Sequence, residues 1–172
     1  NVADWYVGGT VVMSSTDFGR KSRDVNNPLF SSPNWQEELR TITAITLLPD
    51  GRTRLNLNQA LTFNHSGTPP MRGEVGLLTR NILIKTELVG LTDAQVEKDL
   101  RKRKFAHTMF MSDAKGNISY TELKYMGYDS LKGRYTIHQH RMFDKSRGMV
   151  IRGNGIWHTG NRWVNIHSSN GI

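Results

Sequence analysis

The sequence predicts an all-β chain whose second half is a solenoid of parallel β coils, and three observations carry this expectation. From Phe105 onward, short β-forming pieces alternate with glycine turns: Thr108 to Met111, Ile118 to Tyr125, Tyr135 to His140, Met149 to Ile156 and Trp163 to His167. Strand pairs between glycine turns, recurring at about thirty residues, fall within the repeat window of stacked coils. Next, Arg134-Tyr135-Thr136-Ile137-His138 returns as Arg162-Trp163-Val164-Asn165-Ile166-His167, the order Arg, aromatic, Ile, His with one residue added. Finally, Glu74 to Ile84 is nearly continuous apolar sequence, the texture of a strand buried on both faces as in parallel sheets. An antiparallel sandwich also spaces its strands at roughly 8–12 residues and stays open as the competitor.

Taken in order, Trp5-Tyr6-Val7 and Val11-Val12-Met13 read as two short strands about Gly8-Gly9, closed by Ser14 to Asp17. Residues 18–36, with Asn26-Asn27-Pro28 and Ser31-Ser32-Pro33, read as an inserted loop. Thr41 to Leu48 is rich in β-branched residues, Pro49-Asp50-Gly51 turns the chain and Thr53 to Leu57 returns, which makes a hairpin. Asn64 to Pro70 is a second loop, in which His65 is expected to face solvent. Arg80 needs a partner within its apolar stretch, and Glu74 is the nearest acid. Thr92-Asp93-Ala94-Gln95 is a capping box ahead of Val96 and Leu100, so one short helix runs to about Lys102. Its basic end, Lys98 and Arg101 to Lys104, suits the helix dipole and solvent, with contact to a polyanion as the alternative reading. The expected organisation is an N-terminal β region with a loop insertion over 1–73 and β coils over 74–172, the whole a fragment of a longer protein.

The chain has 172 residues, enough for a real core. It has no Cys, which removes disulfides and thiolate metal sites, and no run near the roughly 20 apolar residues of a membrane span. A net charge of +8, from 23 Lys and Arg against 15 Asp and Glu, attracts polyanions such as nucleic acid, anionic lipid or acidic polysaccharide. Nucleic acid has only the charge behind it, because no zinc-finger, basic-zipper or RNA-recognition motif is present. The P-loop, dinucleotide, nucleophile-elbow and His-Glu-x-x-His signatures are absent as well.

The chemistry gathers around Gly133 to His140. His138 and His140, two apart on a predicted strand, share one face while Ile137 and Gln139 take the other. If the repeat stacks in parallel, His167 lies about 4.8 Å above the row that carries His138. A His-x-His pair is a nitrogen platform for Zn or another borderline metal, and Glu122 would complete three ligands. Without a metal, the same groups and His107 would move protons near neutral pH. Arg134 or Arg162 would hold a carboxylated substrate through paired hydrogen bonds. Trp157 and Trp163 either stack on sugars or fill the core. The competing reading is a ladder of polar side chains stacked only for hydrogen bonding.

Asp4-Trp5 with Val7-Gly8, Val11-Val12 and Ser15-Thr16-Asp17 resembles the segment after the G8 module in a known family. That family comprises the cell-migration-inducing hyaluronan-binding proteins, their transmembrane hyaluronidase-like relatives and the fibrocystin-like proteins. Glu74-Val75-Gly76-Leu77-Leu78-Thr79-Arg80-Asn81-Ile82 is similar to the family's most recognisable string. Thr121 to Gly127, Gly133 to His140, and Ile156-Trp157-His158 with Arg162 and Ile166-His167 resemble the blocks that follow, in the same order over almost the whole chain. The chain departs from the pattern at Ala106, Thr136, Gln139 and Trp157, where glycine, proline, an aromatic and histidine are usual.

The resemblance implies a right-handed parallel β-helix, extracellular or at the cell surface, to which the residues themselves add the N-terminal β hairpin region and one short helix. It also implies hyaluronan recognition or, in the full-length protein, hyaluronidase-like depolymerisation. The family's polar cluster would fall on His107, Glu122, His138, His140, Arg162 and His167. The expected roles are acid/base work by His138, His140, Glu122, His107 and His167, with substrate contacts from Arg134, Arg162 and Trp163. His138, His140 and Glu122 would hold a divalent ion, Zn or Ca, if there is one. The expected partner is an acidic polysaccharide, with further subunits of a larger assembly and no nucleic acid. The alternative is a non-enzymatic structural or adhesive module.

Overall fold

In the computed structural model, which describes residues 2–16, 36–129 and 131–172, the chain divides into two units, Asn1–Leu77 and Leu78–Ile172. Asp17 and the loop expected over 18–36, apart from Gln36, lie outside the described residues. In the first unit the β-branched run forms the long strand β2 (Glu38–Leu47), which pairs antiparallel with β1 (Thr10–Met13) and β3 (Thr53–Leu57). β4 (Val75–Leu77) adds to β1, giving the order β3-β2-β1-β4. The β2-β3 turn follows the Pro-Asp-Gly expectation: the Asp50 carboxylate accepts the Arg52 N–H at 3.0 Å, and Gly51 takes φ +80°. One face of the sheet buries Val11, Met13, Ile42 and Leu77, with Trp5, Ile45 and Leu57 packed against them.

Two expectations fail in this unit. Trp5 to Val7 is a turn rather than a strand, with Tyr6 and Val7 exposed. Gly8, at φ +94°, directs its N–H to the Ile42 carbonyl, so the glycine pair leads the chain into β1 instead of joining two strands. His65 does not face solvent either. Its side chain is 9% exposed, with Nδ1 2.8 Å from the Ser14 carbonyl and Nε2 3.1 Å from Glu38 Oε1. Glu38 is a buried carboxylate that also accepts the backbone N–H groups of Thr62 and Phe63 and pairs with Arg40. Burial works against its ionisation, but the donors from Phe63, Thr62 and His65 prevail and bring its pKa down from 4.5 to about 2.

The second unit is built from short parallel pairings. β5 (Leu83–Lys85), β8 (Glu122–Lys124) and β11 (Gly155–Trp157) form one parallel sheet in the order β11-β8-β5. β6 (Thr108–Met111), β9 (Ile137–Phe143) and β12 (Val164–Ser169) form a second, in the order β12-β9-β6. β7 (Ile118–Ser119) and β10 (Ile151–Arg152) make a third, parallel pair. None of these sheets closes on itself, and with few helices the chain is all-β. Leu123, Met126 and Ile137 are fully or almost fully buried together, with Phe110, Ile118, Ile151 and Ile156 against them.

The capping box forms as the spacing predicts: Thr92 caps α1 (Asp93–Glu97), and a 3₁₀ turn at Leu100–Lys102 completes the helical stretch. Val96 anchors the helix in a cluster with Phe105 and Tyr125. The stretch 74–84, expected as one strand buried on both faces, is two edge strands instead. Val75, Leu83 and Ile84 are exposed, and residues 78–82 lie outside both strands. A short apolar run does not distinguish these arrangements by periodicity alone. Within this break, Leu78 presses so closely on Gly155 that a Cβ there would meet the Leu78 carbonyl oxygen at 1.9 Å. Arg80, expected to pair with Glu74, donates to the carbonyls of Gly153 and Thr79.

Each parallel sheet has a corner of left-handed backbone, which in β9 and β12 falls within the strand, before the last pair Phe143 and Ser169. After the aligned residues Met111, His140 and His167 come Ser112, Arg141 and Ser168, at φ 51°, 50° and 47°. After Lys124 and Trp157 come Tyr125 and His158, at 53° and 48°. After Ser119 and Arg152 come Tyr120 and Gly153, at 53° and 62°. A left-handed residue other than glycine costs on the order of 1 kcal/mol or more, so stacking must hold these corners in place.

Two measurements test this account. Ile137→Ala should lower unfolding free energy by about 2–5 kcal/mol in denaturant titration, because the side chain is 0% exposed. Ile166→Ala, at the 52% exposed neighbour of Gln139, should cost under about 1 kcal/mol. Because the folded-state pKa of Glu38 is depressed, its contribution is complete above pH 4.5 and is lost as pH falls toward about 2. The midpoint of thermal unfolding should drop through that window, and Glu38→Gln should flatten the slope.

Candidate functional site

β9 is the central strand of its sheet, and its alternation decides which side chains meet. Ile137 and Gln139 are 0% exposed and turn inward, which leaves His138 and His140 on the other face. The parallel register places Asn165 beside His138 and His167 beside His140, with Met109 and Met111 in the same two rows on the other side. His167 therefore joins the row of His140 rather than that of His138. Of the two positions between these rows, one comes from the residue added in the second copy of the motif and one from the register, which sets Val164 opposite Ile137 rather than Thr136.

The three imidazoles are in contact. His140 Nδ1 and His167 Nδ1 are 3.2 Å apart, and the His138 ring lies 5.0 Å from that of His140 and 6.4 Å, stacked, from that of His167. One ring nitrogen from each lies within 4.8 Å of the others. Exposure rises from buried His138 through half-buried His140 to exposed His167. Gly133, at φ +89°, turns its carbonyl onto His138 Nδ1 at 2.9 Å, which fixes that nitrogen as the donor. Burial holds the His138 pKa below the usual 6.5; the Gly133 carbonyl opposes this, and His140, His167 and His107 add to it.

The substrate-binding candidates border this cluster. The Arg162 guanidinium sits 5.5 Å over the Tyr135 ring and donates to Asn165, and Tyr135 packs edge-on against His138 at 4.9 Å. Arg134 Nη1 donates to His107 Nε2 at 2.6 Å, and burial followed by this cation keeps the His107 imidazole neutral more readily than usual. Trp163 is 62% exposed, so it fills no core. Tyr135, Gly133 and Asn165 complete the site, although their place in the repeated stretch assigns them no role of their own. Only the strand register, with its added residue, would have found Asn165.

Glu122 is not part of this arrangement. It lies on β8 in a different sheet, 5% exposed, accepting the Trp157 indole N–H at 2.9 Å and the Arg80 backbone N–H at 3.2 Å. The expected ligand set of His138, His140 and Glu122 is thereby corrected. Among the described residues, the one group of three close ligating side chains is His138, His140 and His167. All its donors are imidazole nitrogens, which suits zinc-like ions and not calcium, an ion bound through oxygen. Trp157 and the Arg80 backbone between them occupy both oxygens of the Glu122 carboxylate. His158 pairs elsewhere, its Nδ1 2.7 Å from Glu97, which also accepts the Tyr125 hydroxyl. The arrangement matches neither the dry ladder nor the open carboxylate groove: one imidazole is buried on backbone, one is exposed, and among the described residues no acid joins them.

Residues 104–172 match the CEMIP beta-helix family model. Over its full length the chain is 28% identical to the cell surface hyaluronidase CEMIP2 of Homo sapiens and 30% identical to the cell migration-inducing and hyaluronan-binding protein of Mus musculus. It spans 12% of the length of each. Over 96% of the chain it is 25% identical to fibrocystin-L of Mus musculus, of which it spans 4%. No helix among the described residues is long and apolar enough to cross a membrane. Over its length the chain is therefore similar to the cell-migration-inducing hyaluronan-binding proteins, the cell surface hyaluronidases and fibrocystin-L, and its residues 104–172 match the CEMIP beta-helix.

Proposed function

We propose that the second unit is a segment of a right-handed parallel β-helix, exposed at the cell surface or in the extracellular space, whose β6-β9-β12 sheet recognises an acidic polysaccharide of the hyaluronan class. Three parallel sheets joined by crossovers support the helix, and such crossovers are almost always right-handed. The relatives' names, hyaluronan-binding protein and cell surface hyaluronidase, support the ligand.

The observation that carries the reading is the cationic and aromatic border of the imidazole cluster: Arg162 over Tyr135, Arg134 on His107, and exposed Trp163. Guanidinium forks on successive passes suit a polymer bearing regularly spaced carboxylates, and an exposed indole suits a sugar face. Recognition is favoured over depolymerisation because Glu122, the expected acid, is buried and hydrogen-bonded in another sheet. Glycoside hydrolysis ordinarily requires a pair of carboxyl groups about the scissile bond.

The protein should be retained on a hyaluronan column at low salt and elute as salt rises, because the contacts are ionic. Arg162→Ala and Arg134→Ala should each weaken binding by about 1 kcal/mol, roughly fivefold in Kd. Size-defined hyaluronan should keep its length during incubation, with or without chelator. Absence of retention sinks the reading, and progressive shortening of the polymer replaces recognition with cleavage.

A further inference from the structure

We propose that His138, His140 and His167 form a three-histidine site for a divalent transition-metal ion of the zinc type. The inference rests on side-chain geometry and stands apart from the polysaccharide reading.

The separation of two donors is the starting point. His140 Nδ1 and His167 Nδ1 are 3.2 Å apart. Two imidazole nitrogens on one tetrahedral zinc ion, at about 2.0–2.1 Å each, stand roughly 3.3–3.4 Å from one another. A hydrogen bond between the rings would give a similar distance, so this pair alone decides nothing.

The third imidazole does decide. His138 is 2% exposed, its Nδ1 is committed to the Gly133 carbonyl, and its Nε2 is buried with no hydrogen-bond partner among the described residues. A buried acceptor left empty is unfavourable, and a ladder stacked for hydrogen bonding gives no reason for it. A ligand histidine has this form: one ring nitrogen held by a carbonyl, the tautomer fixed, and the other lone pair free for a cation.

The remaining requirements are met by the same residues. One ligating nitrogen from each ring lies within 4.8 Å of the others, a span that modest ring rotations reduce to bonding geometry. Two donors come from the central strand and one from its hydrogen-bonded neighbour, so the set is held by the sheet. Met109 and Met111, in register with His138 and His140, supply an apolar flank. Half-buried His140 and exposed His167 leave a side open to solvent for a fourth, exchangeable ligand.

The test uses the whole chain, purified without a histidine tag, stripped with chelator and dialysed. Titrated calorimetrically with zinc chloride alone, it should take up one ion per chain, and cobalt(II) should give the intense visible bands of four-coordinate nitrogen ligation. His140→Ala and His167→Ala, both at positions open to solvent, should each weaken zinc binding by about 100-fold or more while melting curves stay close to wild type. His158→Gln, outside the cluster, should leave the stoichiometry at one, and calcium chloride should give no binding heat. Absence of stoichiometric zinc uptake by the wild type, or uptake that survives in the H140A/H167A double variant, would overturn the proposal.

Discussion

The position of β9 between two parallel neighbours is the constraint on which the second unit depends. Ile137 lies opposite Thr108 on one side and Val164 on the other, and from that alignment every later row follows. The alternation then sends Ile137 and Gln139 into the interior and the imidazoles to the opposite face. Burying Ile137 against Leu123 and Met126 is what makes one register preferable to its neighbours, because a slip of one residue would exchange the two faces. The chemistry of the site is thus a by-product of a packing decision made on the other side of the strand.

The corners show the same dependence from another direction. Ser112, Arg141 and Ser168 are all left-handed although none is glycine, and they follow three residues aligned across one sheet. Local preference does not account for this. Hydrogen bonding between neighbouring passes does, and it is supplemented by side chains that tie one pass to the next. Asn154 accepts the Thr121 N–H and donates to the Ile118 carbonyl, and Asn161 donates to the Tyr128 carbonyl. The Ser146 hydroxyl donates to the Asn170 carbonyl, again linking residues far apart in sequence.

Several parts of this structure are legible in the sequence. The hairpin about Pro49-Asp50-Gly51 and the Thr92 capping box are local devices, and local devices are written in adjacent residues. The His-x-His pair is legible for the same reason, since a period of two needs no tertiary information. What escapes is whatever depends on which distant strand becomes a neighbour. Glu122 looks available for catalysis until Trp157 and the backbone of Arg80 are seen to occupy both its oxygens. His65 looks like a loop residue until it is placed against buried Glu38. The apolar run over 74–84 hides its own break because Leu78 is shaped by contact with Gly155, far along the chain.

A site assembled by alignment rather than by distance along the chain has an evolutionary consequence. His140 and His167 are 27 residues apart, whereas Asn117 and Val150, also tied across successive passes, are 33 apart. The lengths of the connecting bends are therefore free to drift. Insertions and deletions there would lengthen or trim the surface without dismantling the imidazole group, but a single residue gained or lost inside β9 or β12 would turn its histidines inward and erase it.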